Sequence, residues 1–178
     1  MKCATSSLHE QLALQPGIFM TELKEPNFFS DDGQYKQDIS WYESLFTPEP
    51  GDILVGESST HYTKLPTYPQ TLNRLKQHIP NLSDLRFIYV MRHPIDRLVS
   101  QYIHEWSQRV IPTKTDINTA IYEYPELIEY SKYSMQLKPY FDAFGPDKIL
   151  PLFFERLISN PQPELERVCK FLNYPHKA

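Results

Sequence analysis

Three short runs in this 178-residue chain place side chains where they can act on an anion or a hydroxyl. The first is Lys2-Cys3-Ala4-Thr5-Ser6-Ser7. Successive backbone N–H groups opening a helix, with hydroxyls among them and a lysine ahead, make an anion cradle, because the amides and the helix dipole favour negative charge. Taken alone, the run lacks the glycines and GK(S/T) ending of a nucleotide P-loop and fits an ordinary Ser/Thr helix cap better. The second is Arg92 with Ser100, eight residues further on. Arginine is a planar fork of donors suited to phosphate, and the serine reaches the same anion only if the chain folds back between them. The third is Glu25, between Lys24 and Pro26 and ahead of Phe28 and Phe29. A carboxylate in a partly apolar pocket serves as a general base, since desolvation raises its pKa. A solvated loop acid anchored by the two phenylalanines fits the same residues.

The elements that must position these groups are readable from hydrophobic period. Phe87, Ile88, Tyr89, Val90 and Met91 form an uninterrupted apolar run, a buried strand, and Arg92 stands where it stops. Pro94 suits a first helical turn because its missing N–H has no partner there. Beyond it, Ile95, Leu98, Val99, Tyr102 and Trp106 recur on one face of a helix. Ligands of open α/β sheets bind in the crevice beyond strand carboxyl ends, which is where Arg92 would be delivered.

The rest of the chain reads the same way. Thr5, Ser6 and Ser7 precede a helix carrying Leu8, Leu12 and Leu14 that ends at Pro16-Gly17. A short strand over Ile18 to Met20, a loop through Pro26 and Gly33, and a short helix over Ile39 to Phe46 follow. A strand from Ile53 to Val55 exits into GESSTHY. Helices are predicted over Tyr68 to Ile79, Asp116 to Tyr124, Glu126 to Phe144 and Pro163 to Leu172, with a strand over Ile149 to Phe154. Pro151 puts that strand at an edge or a bulge. Alternating strands and helices predict an α/β fold, a mainly parallel sheet flanked by helices, in one domain spanning residues 1–178.

Composition narrows the function classes. A net charge of −4 argues against a nucleic-acid binder held by a general basic surface. The two cysteines, Cys3 and Cys169, lie far apart with no metal-ligand spacing, so neither a disulfide framework nor a zinc site is expected. No apolar run approaches the roughly 20 residues of a membrane span, and the N-terminus lacks the apolar core of a signal peptide.

KCATSSL, KEPNFF, GESSTHY, IYVMRHPIDRLVSQY and FFERLISNPQPELERVCKFL occur in one order over nearly the whole chain. In that order and approximate spacing the sequence resembles the P-loop sulfotransferases, in the branch that includes heparan sulfate sulfotransferases and their bacterial relatives. RxPxxRxxSxY is the most specific piece. The resemblance implies a P-loop NTPase-like fold and the donor 3'-phosphoadenosine 5'-phosphosulfate (PAPS), with no metal. It would assign Lys2, Cys3, Ala4, Thr5 and Ser6 to the 5'-phosphosulfate loop, with Lys2 near the bridging oxygen of the leaving phosphate. Arg92 and Ser100 would grip the 3'-phosphate, and Glu25 would take the proton of the acceptor hydroxyl. The physical needs agree: in-line attack, a proton acceptor, and positive charge where the leaving oxygen gains electrons. The implied acceptor is a hydroxyl or amine of a small molecule or carbohydrate.

Departures from the family pattern bear on the acceptor and on the ends. Where heparan-type enzymes carry a Glu-Lys-Thr-Pro-like run, this chain has Glu57-Ser58-Ser59-Thr60, so a lysine associated with sulfated-sugar substrates is absent. His61 is a second candidate base, though a strand-end histidine with a structural hydrogen bond fits better. Cys3 is expected to be a small packing residue. The family's strand before the loop lysine and its segment after the FLNYP-like stretch are missing, so a fragment is expected. Compartment stays open: cytoplasmic for a bacterial protein, Golgi lumen for one anchored by a preceding segment. The alternatives are a non-catalytic nucleotide-binding domain and a small-molecule kinase of related fold, which should carry a GK(S/T) loop and a magnesium-holding acid.

Overall fold

In the computed structural model, the described residues are 3–175, so Lys2 lies outside them. The strands β1 (Ile18–Met20) and β2 (Leu54–Gly56) pair in parallel, Ile18 opposite Leu54 and Met20 opposite Gly56. The strands β3 (Phe87–Met91) and β4 (Ile149–Phe153) pair in parallel from Phe87–Ile149 to Met91–Phe153. Gly17, with φ +76°, turns the first helix into β1. The helices before β3 are α1 (Thr5–Ala13), α2 (Asp32–Tyr35), α3 (Ile39–Ser44) and α4 (Thr71–His78). Between β3 and β4 come α5 (Pro94–Ser107), α6 (Ile117–Glu123), α7 (Glu126–Glu129) and α8 (Tyr133–Phe144). The chain then runs through α9 (Phe154–Ser159) and α10 (Pro161–Phe171).

The parallel α/β reading holds, with one difference: among the described residues the sheet is two half-sheets, and no strand pairs β2 to β3. The strand β3 is apolar throughout because both of its faces are covered. Ile88 and Val90 pack with Leu8, Leu12, Leu165 and Val168, whereas Phe87, Tyr89 and Met91 pack with Phe28, Phe29, Leu137 and Tyr140. Pro151 sits opposite Tyr89 in β4, which among the described residues pairs only with β3 and so needs no N–H at its outer edge.

Three expectations change. The helix predicted over Glu126 to Phe144 is broken into α7 and α8, and the break presents Ser131, whose Oγ accepts from Arg97 Nε and donates to Pro94 O. The closing helix, predicted from Pro163, starts at Pro161 as α10 and is preceded by α9, in a stretch for which no element was predicted; the chain breaks at Asn160 between them. On α5 the deeply buried residues are Arg97 and Gln101, while Ile95 and Trp106 of the apolar face are 61% and 40% exposed.

The half-sheets are joined by side chains. Gln136 of α8 accepts from Leu65 N–H through Oε1 at 2.7 Å and donates to Leu65 O through Nε2 at 2.9 Å, clasping the segment that follows β2. Tyr140 of α8 donates to Tyr62 O at 2.6 Å. A cavity of about 540 Å³ lies between the halves, walled by β2 and by Phe87 to Val90 of β3, with Cys3, Glu57, Lys64 and Arg97 in its lining.

Candidate active site

The first turn of α1 differs from the Ser/Thr cap expected of it. Ala4 is the N-cap, in the left-handed region at φ 59°, and no side chain caps the helix. Thr5, Ser6 and Ser7 therefore fall inside or at the edge of the first turn, whose N–H groups lack helical partners. Lys24 reaches this turn from the exit of β1 and donates to Ser6 Oγ. Cys3 is buried at 1% exposure in the core beside Leu8, as a packing residue would be, and burial raises its thiol pKa.

Glu25 is held from both sides. Its backbone is left-handed, φ 58°, a conformation that costs a non-glycine residue about 1–3 kcal/mol and persists only where neighbours impose it. The neighbours are the residues leaving β2. Glu25 N–H donates to Ser58 O at 2.9 Å, and its Oε2 accepts from Thr60 N–H at 2.8 Å and Thr60 Oγ1 at 2.9 Å. Asn27 N–H donates to Ser59 Oγ at 2.9 Å. His9 Nδ1 and Ser58 Oγ, 2.9 Å apart, tie α1 to the same loop. Phe28 and Phe29 anchor the segment from below, at 1% and 0% exposure, within a cluster of Tyr35, Trp41, Tyr42, Tyr62 and His78. The aromatic residues of this region form core.

Two titrating groups lie beside Glu25, of which the sequence picked out only His61. Glu57, at the end of β2, has Oε2 buried without a hydrogen-bond partner, and burial pushes its carboxyl pKa up to about 7, with the Glu25 charge adding in the same direction. His61 stacks on Tyr68, ring centroids 4.6 Å apart, and its Nδ1 is buried and unpartnered. The structural hydrogen bond expected for it is absent among the described residues, and burial lowers its pKa to about 4. A carboxylate without a local partner is the only signal in the sequence that could have flagged Glu57.

Arg92 follows the last residue of β3, and Ser100 lies on α5. The chain does fold back between them: Arg92, Asp96, Val99, Ser100 and Ile103 line one small cavity of about 270 Å³. The Arg92 backbone is clamped by Tyr133, which accepts from Arg92 N–H at 3.2 Å and donates to Arg92 O at 2.6 Å. Its guanidinium lies over the Phe154 ring, 4.6 Å from the centroid. Glu155 accepts from His93 N–H at 2.8 Å, and this bond holds its carboxyl below the usual range. The loops after β3 and β4 are thus fastened together, as are those after β1 and β2. The position assigned to Lys2 lies outside the described residues.

Sequence comparison supplies the class to which this parallel α/β fold belongs: the chain is a member of the sulfotransferase family, matched over residues 4–178. It is 25% identical to mouse (Mus musculus) heparan sulfate glucosamine 3-O-sulfotransferase 5, over 98% of this chain and 51% of that protein. It is 27% identical to the mouse 3-O-sulfotransferase 3B1, over 96% of this chain and 43% of that protein. The chain thus spans about half the length of these curated relatives. A crystal structure of a sulfotransferase from Alicyclobacillus acidocaldarius superposes with a TM-score of 0.78 at 28% identity, covering 97% of this chain and 77% of that one.

Proposed function

We propose that the chain carries the reaction site of a PAPS-dependent sulfotransferase acting on a hydroxyl or amine, with a carbohydrate as the acceptor class. The observation that carries this reading is the anchoring of two consecutive residues: Lys24 on the first turn of α1 and Glu25 on the loop leaving β2. One places a positive charge at a helix N-terminus suited to an anion, and the next holds a carboxylate beside it. In the reaction the acceptor oxygen or nitrogen forms a bond to sulfur as the bond from sulfur to the phosphate oxygen breaks. The leaving phosphate keeps the electron pair, and Glu25 receives the acceptor proton.

The residues present suit the donor. The N–H groups of the α1 first turn, free of a side-chain cap, suit the phosphosulfate end. Arg92 and Ser100, lining one cavity, suit the 3'-phosphate. Lys2 would complete the loop. The sulfotransferases of heparan sulfate among the relatives support a carbohydrate acceptor.

Calorimetric titration with adenosine 3',5'-bisphosphate and with ATP tests the reading. The bisphosphate should bind and ATP should not; binding of ATP alone would point to a kinase, and binding of neither would remove the assignment. Glu25→Gln should then retain bisphosphate binding and lose turnover with PAPS, whereas retained turnover would move the base to His61.

A further inference from the structure

The loop leaving β2 carries a buried acid that the reaction above leaves unused. Glu57 is the first residue after β2, and the three residues that follow it make the grip on the proposed base. Ser58 O accepts from Glu25 N–H at 2.9 Å, and Ser59 Oγ accepts from Asn27 N–H at 2.9 Å. Thr60 holds Glu25 Oε2 through its N–H at 2.8 Å and its Oγ1 at 2.9 Å. The gripped side is strained: Glu25 and Asn27, at φ 58° and 51°, are both left-handed and stay so only while neighbours impose it. The pose of Glu25 therefore depends on where residues 58–60 are seated.

The Glu57 carboxyl has nothing to balance a charge. Its Oε2 is buried and makes no hydrogen bond, and among the described residues no cationic nitrogen lies within 4.0 Å of it. Lys64 and Arg97, in the same wall of the gap between the half-sheets, form no ion pair with it. The groups that face it are the phenols of Tyr42 on α3, Tyr62 on the 3-10 turn Thr60–Thr63 and Tyr140 on α8, the Ser59 hydroxyl and the Glu25 carboxylate. Burial raises the pKa of all three phenols, so they stay neutral, and the one charge in the set has the same sign as an ionised Glu57. A carboxylate so placed either stays protonated or leaves for water. Gly56 O is fixed by Thr21 N–H at 3.0 Å, so swinging the carboxyl outward turns the backbone at 57–59, which carries the acceptors for Glu25 and Asn27.

We propose that Glu57 is a positioning residue for Glu25: its neutral carboxyl seats the loop that holds the base, and its ionisation unseats that loop. The effect on turnover rests on Glu25 being the base of the proposed function; the effect on the loop does not. Burial pushes the Glu57 carboxyl up to about 7, the Glu25 charge adds to the rise, and the Tyr62 and Ser59 hydroxyls oppose it. The grip is thus complete below that pH and lost above it.

Amide hydrogen exchange on the wild-type chain from pH 5.5 to 8.5 tests this, read as protection at Glu25, Asn27 and Thr60. Protection should be level below pH 7 and fall about tenfold per pH unit above it, because opening is linked to the loss of one proton. Glu57→Gln, which carries no titrating proton, should keep protection level throughout. Under the proposed function, kcat with PAPS should fall over the same range in the wild type, and that fall should be absent in Glu57→Gln. Level protection in the wild type through pH 8.5, or an equal fall in Glu57→Gln, overturns the proposal. Should Glu57→Gln fail to fold, the titration of the wild-type Glu57 carboxyl followed by carbon NMR decides: its midpoint must match that of the lost protection, and a mismatch overturns the role. Failure of adenosine 3',5'-bisphosphate to bind would remove the proposed function and leave the exchange result standing.

Discussion

Glu25 and Thr60, 35 residues apart, meet through two hydrogen bonds to one carboxylate oxygen, 2.8 Å from the Thr60 N–H and 2.9 Å from its Oγ1. The backbone bond fixes the height of the carboxylate and the hydroxyl bond its rotation, so that under the proposed function Oε1 is the oxygen left to face an acceptor. Thr60→Val keeps the shape and the N–H but removes the second bond. A hydrogen bond to a charged group is worth about 1.5–3 kcal/mol, so turnover should fall about tenfold or more. Bisphosphate affinity should stay within about twofold, and Thr60→Ser should restore the rate. Steady-state kinetics beside calorimetry checks the split; a matching loss in both would assign Thr60 to folding.

Stability against pH carries a second prediction. Folded Glu57 keeps its proton up to about pH 7 instead of the usual 4.5, so the folded state binds more protons in that window and stability falls as pH rises through it. His61 does the reverse: neutral when folded down to about pH 4 instead of 6.5, it makes stability fall as pH drops through that window. The windows overlap and the slopes oppose, so their contributions largely cancel in the wild-type chain. Glu57→Gln should expose the His61 slope, made shallower by solvent screening because that ring is only half-buried, and His61→Gln the steeper Glu57 slope, on the order of 2 kcal/mol. Urea unfolding at intervals from pH 4 to 8 measures both, and parallel profiles for the two variants would refute the assignment.

Arg97→Met leaves Gln101 Oε1 and Leu127 O without their donor where the guanidinium is 2% exposed, while Ser131 Oγ keeps its bond to Pro94 O. Each buried polar group left unpaired costs about 1–3 kcal/mol, so a total loss of about 3 kcal/mol or more is expected. Urea midpoints at constant slope report it; a loss below about 1 kcal/mol would mean that water replaces the guanidinium.

Arg92→Ala should weaken adenosine 3',5'-bisphosphate binding by on the order of 2 kcal/mol, because a charged donor is lost from the cavity it shares with Ser100. Ser100→Ala should cost less, on the order of 1 kcal/mol, as a neutral hydroxyl does. Unchanged affinity in the arginine variant would take it out of the site.

Period and punctuation made the strands legible, because β3 is covered on both faces and an unbroken apolar run admits few other readings. The delivery of Arg92 at its end followed from the same run. Less of the site was legible. Glu25 could be named from the resemblance, but neither its left-handed backbone nor its grip by Thr60 has a local signature, since the contact spans 35 residues. Desolvation of Glu57 is a property of what packs around it. The inward face of α5 misled for a related reason: Arg97 and Gln101 look like solvent residues until Ser131 and the Leu127 carbonyl, brought by the break between α7 and α8, satisfy them.

The seam between the half-sheets has a consequence for how the molecule comes apart. No backbone ladder crosses it among the described residues; the clasp of Leu65 by Gln136, the bond from Tyr140 to Tyr62 O and two apolar clusters drawing residues from both halves make the connection. Side-chain contacts open at lower free energy than a cooperative ladder, so the seam is expected to loosen before either pair of strands does. Heating or mild denaturant should then part Glu25 from Arg92 before either pair of strands melts. Under the proposed function, activity is then the first property lost, at a temperature where circular dichroism still reads a folded protein.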